Sequence, residues 1–79
     1  MNDKTLKLIN NYEIAHRIER LITEKGYTKV EIARKLRISP TSVYKWIEAE
    51  SVPDIQHLSD LSELLDVTID YIVKGVDDS

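Results

Sequence analysis

Four side chains between positions 41 and 45 have the types and the spacing to read another polymer: Thr41, Ser42, Tyr44 and Lys45. They supply two small hydroxyls, a phenolic ring and a cation. Hydroxyls and an ammonium can hydrogen-bond the edges of base pairs, which present a distinct donor and acceptor pattern in the major groove. Lys29, Arg34, Lys35 and Arg37 precede them, and such cations bind phosphate, Lys as a point charge and Arg as a fork. Bond-making chemistry has far less material. The 79-residue chain has no Cys, which removes disulfides, thiolate zinc sites and a thiol nucleophile. Its two histidines, His16 and His57, match no metal-ligand spacing. His57 lies three residues from Asp54 and three from Asp60, a pattern typical of surface ion pairs and not of a general base. No nucleophile–base pair and no glycine-rich phosphate loop is visible, so an enzyme or nuclease is the weakest class, and no metal or cofactor is expected.

The total charge of -3 argues at first against a nucleic-acid partner, but the charge is segregated. Residues 1–24 balance. Residues 25–46 carry Lys25, Lys29, Arg34, Lys35, Arg37 and Lys45 against Glu31 alone, six against one, or +5. Residues 47–79 carry nine acidic side chains against Lys74 alone, or -8. Phosphate binding needs a local positive surface, not a positive total. The plainer alternative is that these runs are solvated helix faces.

Residues 41–45 need a scaffold, and the apolar spacing supplies helices throughout. A first helix is predicted from about Tyr12 to Lys25, with Asn10 and Glu13 in capping-box form, Ile14, Ile18, Leu21 and Ile22 as its stripe, and Gly26 as its stop. A second spans about Lys29 to Leu36, capped by Thr28 with Glu31, with Ile32, Ala33 and Leu36 inward. Arg37-Ile38-Ser39 is long enough only for a tight turn. A third helix runs from about Pro40 to Ala49, with Ser39 as N-cap, Pro40 at the first position, and Val43, Trp46 and Ile47 buried. Asp54 opens a fourth helix to Leu65, and Thr68 a fifth that Gly75 closes. The class is therefore all-α: one domain over residues 12–75, with a helix-turn-helix unit at about 28–49 and an acidic tail at 76–79. Residues 1–11 stay open between an extension of the first helix, a packed arm and a short strand. No apolar run approaches the ~18 residues of a membrane span, and there is no signal-peptide core. A soluble, cytoplasmic chain is expected.

Two helices joined by three residues cannot lie antiparallel and must cross steeply. The stretch Thr28-Lys29-Val30-Glu31-Ile32-Ala33-Arg34-Lys35-Leu36, then Ile38-Ser39 and Ser42-Val43-Tyr44-Lys45-Trp46, resembles the lambda-repressor/Cro-like helix-turn-helix family. So does the continuation Val52-Pro53-Asp54, Leu58, Leu61 and Leu64 through Ile72. The resemblance covers about residues 12–75. It implies a compact five-helix bundle of the lambda-repressor-like DNA-binding type, with the third helix in the major groove of double-stranded DNA and two copies on a palindromic site. It further implies DNA contacts from Lys29, Ser39, Pro40, Thr41, Ser42, Tyr44 and Lys45, with Thr28, Arg34 and Arg37 as supporting phosphate contacts. Pro40, lacking a donor, can offer only apolar contact.

Departures from the family pattern carry expectations of their own. Arg37 stands where Gly is common, at a cost of about 1 kcal/mol if the turn needs a left-handed residue. Ala49 also replaces a usual Gly, so the third helix is expected to run on toward Ser51. Glu48 and Glu50 occupy a region where others place neutral or basic residues, and each repels phosphate. The reading that follows is a sequence-specific DNA-binding transcriptional regulator, a repressor working as a homodimer. Its dimer surface would come from the apolar residues of helices four and five, Leu65, Val67, Ile69, Tyr71, Ile72 and Val76, some of which must be core. The alternative is an antirepressor-like protein-interaction module that grips a partner repressor; Tyr44, Glu48 and Glu50 motivate it, while Trp46 reads as core. Ile22 and Ile47 replace an ion pair common in the family, so Ile47→Ala is predicted to cost about 2–5 kcal/mol as a core cavity in thermal or urea unfolding.

Overall fold

The computed structural model describes residues 9–76, and the sequence expectations for residues 1–8 and 77–79 lie outside that span. The described chain forms five helices: α1 Asn11–Glu24, α2 Lys29–Leu36, α3 Pro40–Ile47, α4 Ile55–Leu65 and α5 Ile69–Lys74. No strand occurs among the described residues. Residues 9 and 10 are extended and exposed, so within this span nothing lengthens α1 beyond Asn11.

Helix starts follow side-chain capping, because the first N–H groups of a helix have no partner inside it. Asn10 accepts from the N–H groups of Tyr12 and Glu13 at 2.9 and 3.1 Å. The reciprocal half of that box is not made; the Glu13 carboxylate sits 3.8 Å from Arg17 instead. Thr28 and Glu31 form the complete box, at 3.1 and 2.8 Å. Asp54 and Thr68 cap α4 and α5. Ser39 caps α3 by its extended backbone alone, without a side-chain bond to the helix.

Helix ends follow one geometry. In α1, α2, α3 and α4 the chain leaves through a left-handed residue, and the next N–H reaches back to a carbonyl five residues earlier. These bonds are Tyr27 to Ile22, Ile38 to Ala33, Glu50 to Lys45 and Val67 to Ser62. This is the Schellman closure, in which glycine usually supplies the left-handed position. Only α1 uses one, Gly26; the others use Arg37, Ala49 and Asp66, all near φ +60°. Ala49 therefore ends α3 at Ile47, and the expected run-on toward Ser51 does not occur. Tyr27, Ile38 and Val67, the residues just past three of these stops, pack against the core, and that apolar contact offsets the strain.

The core is apolar throughout. Ile18, Ile32, Val43, Leu61, Leu65 and Ile72 have no exposed surface, and no polar or charged residue is buried among the described ones. α2 packs on α3, α3 and α5 both pack on α1, and α5 packs on α4. Trp46 is core, as expected, 5% exposed with its ring 5.4 Å from that of His57. Ile22 is buried, but Ile47 is only partly so, at the edge of the core. A site open to water leaves a smaller cavity, so the expected cost of Ile47→Ala falls to the bottom of its range, about 2 kcal/mol. Arg17, its side chain only 12% exposed, ties α1 to α5: its Nε donates to the Ile72 carbonyl at 3.1 Å, in the last turn of α5, where a cation also meets the negative end of the helix dipole.

A left-handed L-residue costs about 1–2 kcal/mol, and glycine's extra freedom in the unfolded chain returns about 0.4–1 kcal/mol of that. Ala49→Gly should therefore raise unfolding free energy by about 0.5–1 kcal/mol in urea denaturation, with Pro53 and the α4 cap unaffected.

Candidate nucleic-acid interface

The three residues Arg37-Ile38-Ser39 turn the chain so that α3 lies across α2 with one side in the core. Val43 and Trp46 occupy that side. Helical spacing places Thr41, Tyr44, Lys45 and Glu48 on the other, and all four are exposed. Pro40 and Ser39 are exposed at the start of the helix. Ser42 is partly buried on the flank, with its hydroxyl 3.5 Å from that of Ser39. The sequence-derived set at the start and middle of α3 is thus brought together on one surface. Glu48, the residue that follows α3, stands one turn past Tyr44 beside this surface.

The cations do not all stand free. Lys29, at the first position of α2, is only partly exposed. Its Nζ lies 3.6 Å from a carboxylate oxygen of Glu19 on α1 and 5.7 Å from the centre of the Tyr44 ring. Glu19 was not legible as a site residue; it lies ten positions upstream on another helix, and only the packing of α1 beside α2 and α3 reveals it. Thr28 has its hydroxyl committed to the Glu31 N–H. Arg34 is exposed on α2. Arg37, at the turn, shares a cleft of about 480 Å³ with Lys35 and with Asp60 and Glu63 of α4. That acidic wall weakens its field compared with an isolated guanidinium.

Two carboxyls carry perturbed acidities. Glu31 is held below the usual range, chiefly by the Thr28 backbone N–H. Its contribution to stability is therefore present above the ordinary carboxylate range and lost as pH falls through its lowered value. Glu48 is pushed up, first by a hydrogen bond shared with Glu50 and then by that neighbour's charge. The sign reverses: the contact helps the fold at low pH and is lost as pH rises through the raised value. Glu48 is exposed and Glu31 only partly buried, so these are local effects.

No group of three or more His, Asp or Glu side chains placed to hold a metal occurs among the described residues. His57 Nδ1 lies 3.0 Å from Asp54, and Asp60 accepts from Gln56, which leaves the His57 pattern as local surface pairing. Among the described residues no helix is long and apolar enough to cross a membrane. The dimer surface expected from α4 and α5 needs correction: Leu65 and Ile72 are wholly buried, and Val67, Ile69 and Tyr71 partly so. Apart from Val76, the large apolar side chains that are exposed lie outside α5 and the body of α4: Ile9 and Tyr12 before and in α1, Val30 in α2, Tyr44 in α3, and Val52 and Ile55 around the start of α4.

Residues 18–72 match the family model described as helix-turn-helix. Over 63 residues the chain is 30% identical to the transcriptional activator BcrR of Enterococcus faecalis, covering 80% of this chain and 31% of that protein. The chain thus spans less than two thirds of the curated relatives it matches. Among solved structures it is similar to the biofilm master regulator SinR in complex with DNA, at 30% identity and a TM-score of 0.69, over 75% of this chain and 95% of that one. The P22 c2 repressor bound to a synthetic operator shares the fold, with a TM-score of 0.75 at 22% identity, over 80% of this chain and 96% of that one.

Side-chain carbon-13 titration of Glu48 should give a midpoint above the ordinary glutamate range. In Glu50→Gln it should return toward that range, since both the shared hydrogen bond and the neighbouring charge are changed.

Proposed function

We propose, from the premise that this chain belongs to the Cro/C1-type helix-turn-helix family, that it is a sequence-specific double-stranded DNA-binding regulator of transcription. The observation that carries this reading is the split of α3: Val43 and Trp46 are sealed in the core while Thr41, Tyr44 and Lys45 face outward together. A helix presented in this way fits the major groove. Lys45 and the hydroxyl of Thr41 reach base edges, Tyr44 contacts a base or the sugar-phosphate strand, and Pro40 packs on a thymine methyl. Lys29 and Arg34 engage phosphates, with the backbone N–H groups at the start of α2 beside them. Ser39, Ser42 and Thr28 sit at the edges of this contact, and Arg37 contributes a long-range positive field. The role requires no cofactor and no catalytic step, and it places the chain where the duplex is, in the cytoplasm of a bacterial host.

A single domain touches few base pairs, so useful discrimination calls for two copies on a palindromic operator, about 34–36 Å apart between half-site centres. Occupying an operator excludes polymerase, and repression is the direct outcome. One observation favours a second reading. Glu48 shares the exposed face of α3 and is paired with Glu50 at its C-terminal end, where a phosphate strand would be repelled. An antirepressor-like module binding a partner repressor would use the same face with reversed charge preference. Titration with a candidate partner repressor, compared with titration by duplex, separates the two.

The decisive test is selection from random duplexes by the purified chain at two salt concentrations. An enriched motif with salt-sensitive affinity is expected. Lys45→Ala should lose about 1–3 kcal/mol on that motif and relax one position. Arg34→Ala should weaken all sequences alike and flatten the log–log salt slope by about 0.9. No enrichment at low salt would defeat the DNA reading.

A further inference from the structure

We infer that Glu19 is a positioning residue for DNA binding: it holds Lys29 in an ion pair that must be exchanged for a phosphate, and so sets the baseline affinity for any duplex. The inference rests on the DNA reading above. It starts from a contact between three helices. Glu19 projects from α1, Lys29 opens α2, and Tyr44 stands on the outward face of α3. They line one cleft of about 280 Å³, together with Thr28 and Val30.

The geometry is that of a poised pair. At 3.6 Å the Lys29 ammonium and the Glu19 carboxylate are in ionic contact but beyond an ordinary hydrogen bond. Both side chains are partly solvated, 31% and 49% exposed, so the pair is weak enough to open. The Tyr44 ring lies 5.7 Å from the same ammonium, within reach of a cation–π attraction. Lys29 is therefore drawn toward α3 by the ring and toward α1 by the carboxylate. A phosphate arriving at α2 offers a second anion to the same cation. Exchange of one anion for the other keeps Lys29 paired throughout, and the cost of releasing Glu19 is subtracted from every duplex equally. Weak sites suffer most in occupancy, because their affinity starts lowest. A lysine free in solution would give the same phosphate contact with no such subtraction.

Four proteins test this by fluorescence anisotropy on a 20-base-pair duplex of random sequence: wild type, Glu19→Gln, Lys29→Gln and the double variant. Glu24→Gln serves as a control, since Glu24 pairs with Arg20 on the same helix and not with Lys29. Glu19→Gln should tighten binding about two- to fivefold, the range an exposed ion pair supports, and should steepen the salt slope. That gain should vanish in the Lys29→Gln background, and Glu24→Gln should change little. Thermal melts of all variants check that they remain folded. A gain that survives loss of Lys29, or an equal gain in Glu24→Gln, would show simple long-range repulsion and overturn the proposal, as would unchanged affinity in Glu19→Gln. Failure of the wild type to bind any duplex at low salt is a distinct result, which overturns the DNA reading and this proposal with it.

Discussion

The exposed face of α3 exists because the chain turns sharply at one left-handed residue, Arg37. The Ile38 N–H closes on the Ala33 carbonyl at 3.0 Å, and the Ile38 side chain then packs against the core. Those two contacts set the direction in which Ser39 and Pro40 leave the turn, and hence which side of α3 faces Ile32 and which faces out. An L-residue resists this conformation by about 1 kcal/mol or more, and the apolar burial of Ile38 is the force that overrides it. Every proposed contact of Thr41, Tyr44 and Lys45 depends on that local strain being held by the core.

The charge distribution gives the same surface two opposing tendencies. Cations from α2 and α3 favour phosphate, while Glu19 and Glu48 stand against them within the same small area. Glu19 acts on Lys29 by direct contact and not merely by lowering the total. Glu48 stands just past the end of α3, beyond Tyr44 and Lys45, and shares a hydrogen bond with Glu50. In the proposed reading, a domain with such a balance binds nucleic acid through a patch rather than through its net charge. Its stability rests separately on the apolar core behind α3, where no polar or charged residue is buried among those described.

Much of this was readable in advance. The five helices, the complete Thr28–Glu31 box, the three-residue turn, and the burial of Val43 and Trp46 follow from capping chemistry and 3.6-residue apolar spacing, which are local properties. The end of α3 was misread because Ala49 lacks the glycine signal that marks Gly26, yet takes the same backbone conformation. Ile55, at the first position of α4, is largely exposed despite its apolar side chain. Periodicity marks a face of a helix but not how far the neighbouring helix extends along it.

The amino-acid order by itself determined where helices begin, which residues of each turn inward, and that cations cluster before and within α3, because each of these depends on groups within a few positions of one another. Only the tertiary structure decided that Lys29 is shared between Glu19 and Tyr44, that Arg37 stands near Asp60 and Glu63, and that Leu65 and Ile72 are unavailable to a partner. Those facts join helices distant in sequence, and the direction in which whole elements pack, a property of the full core, brings them together.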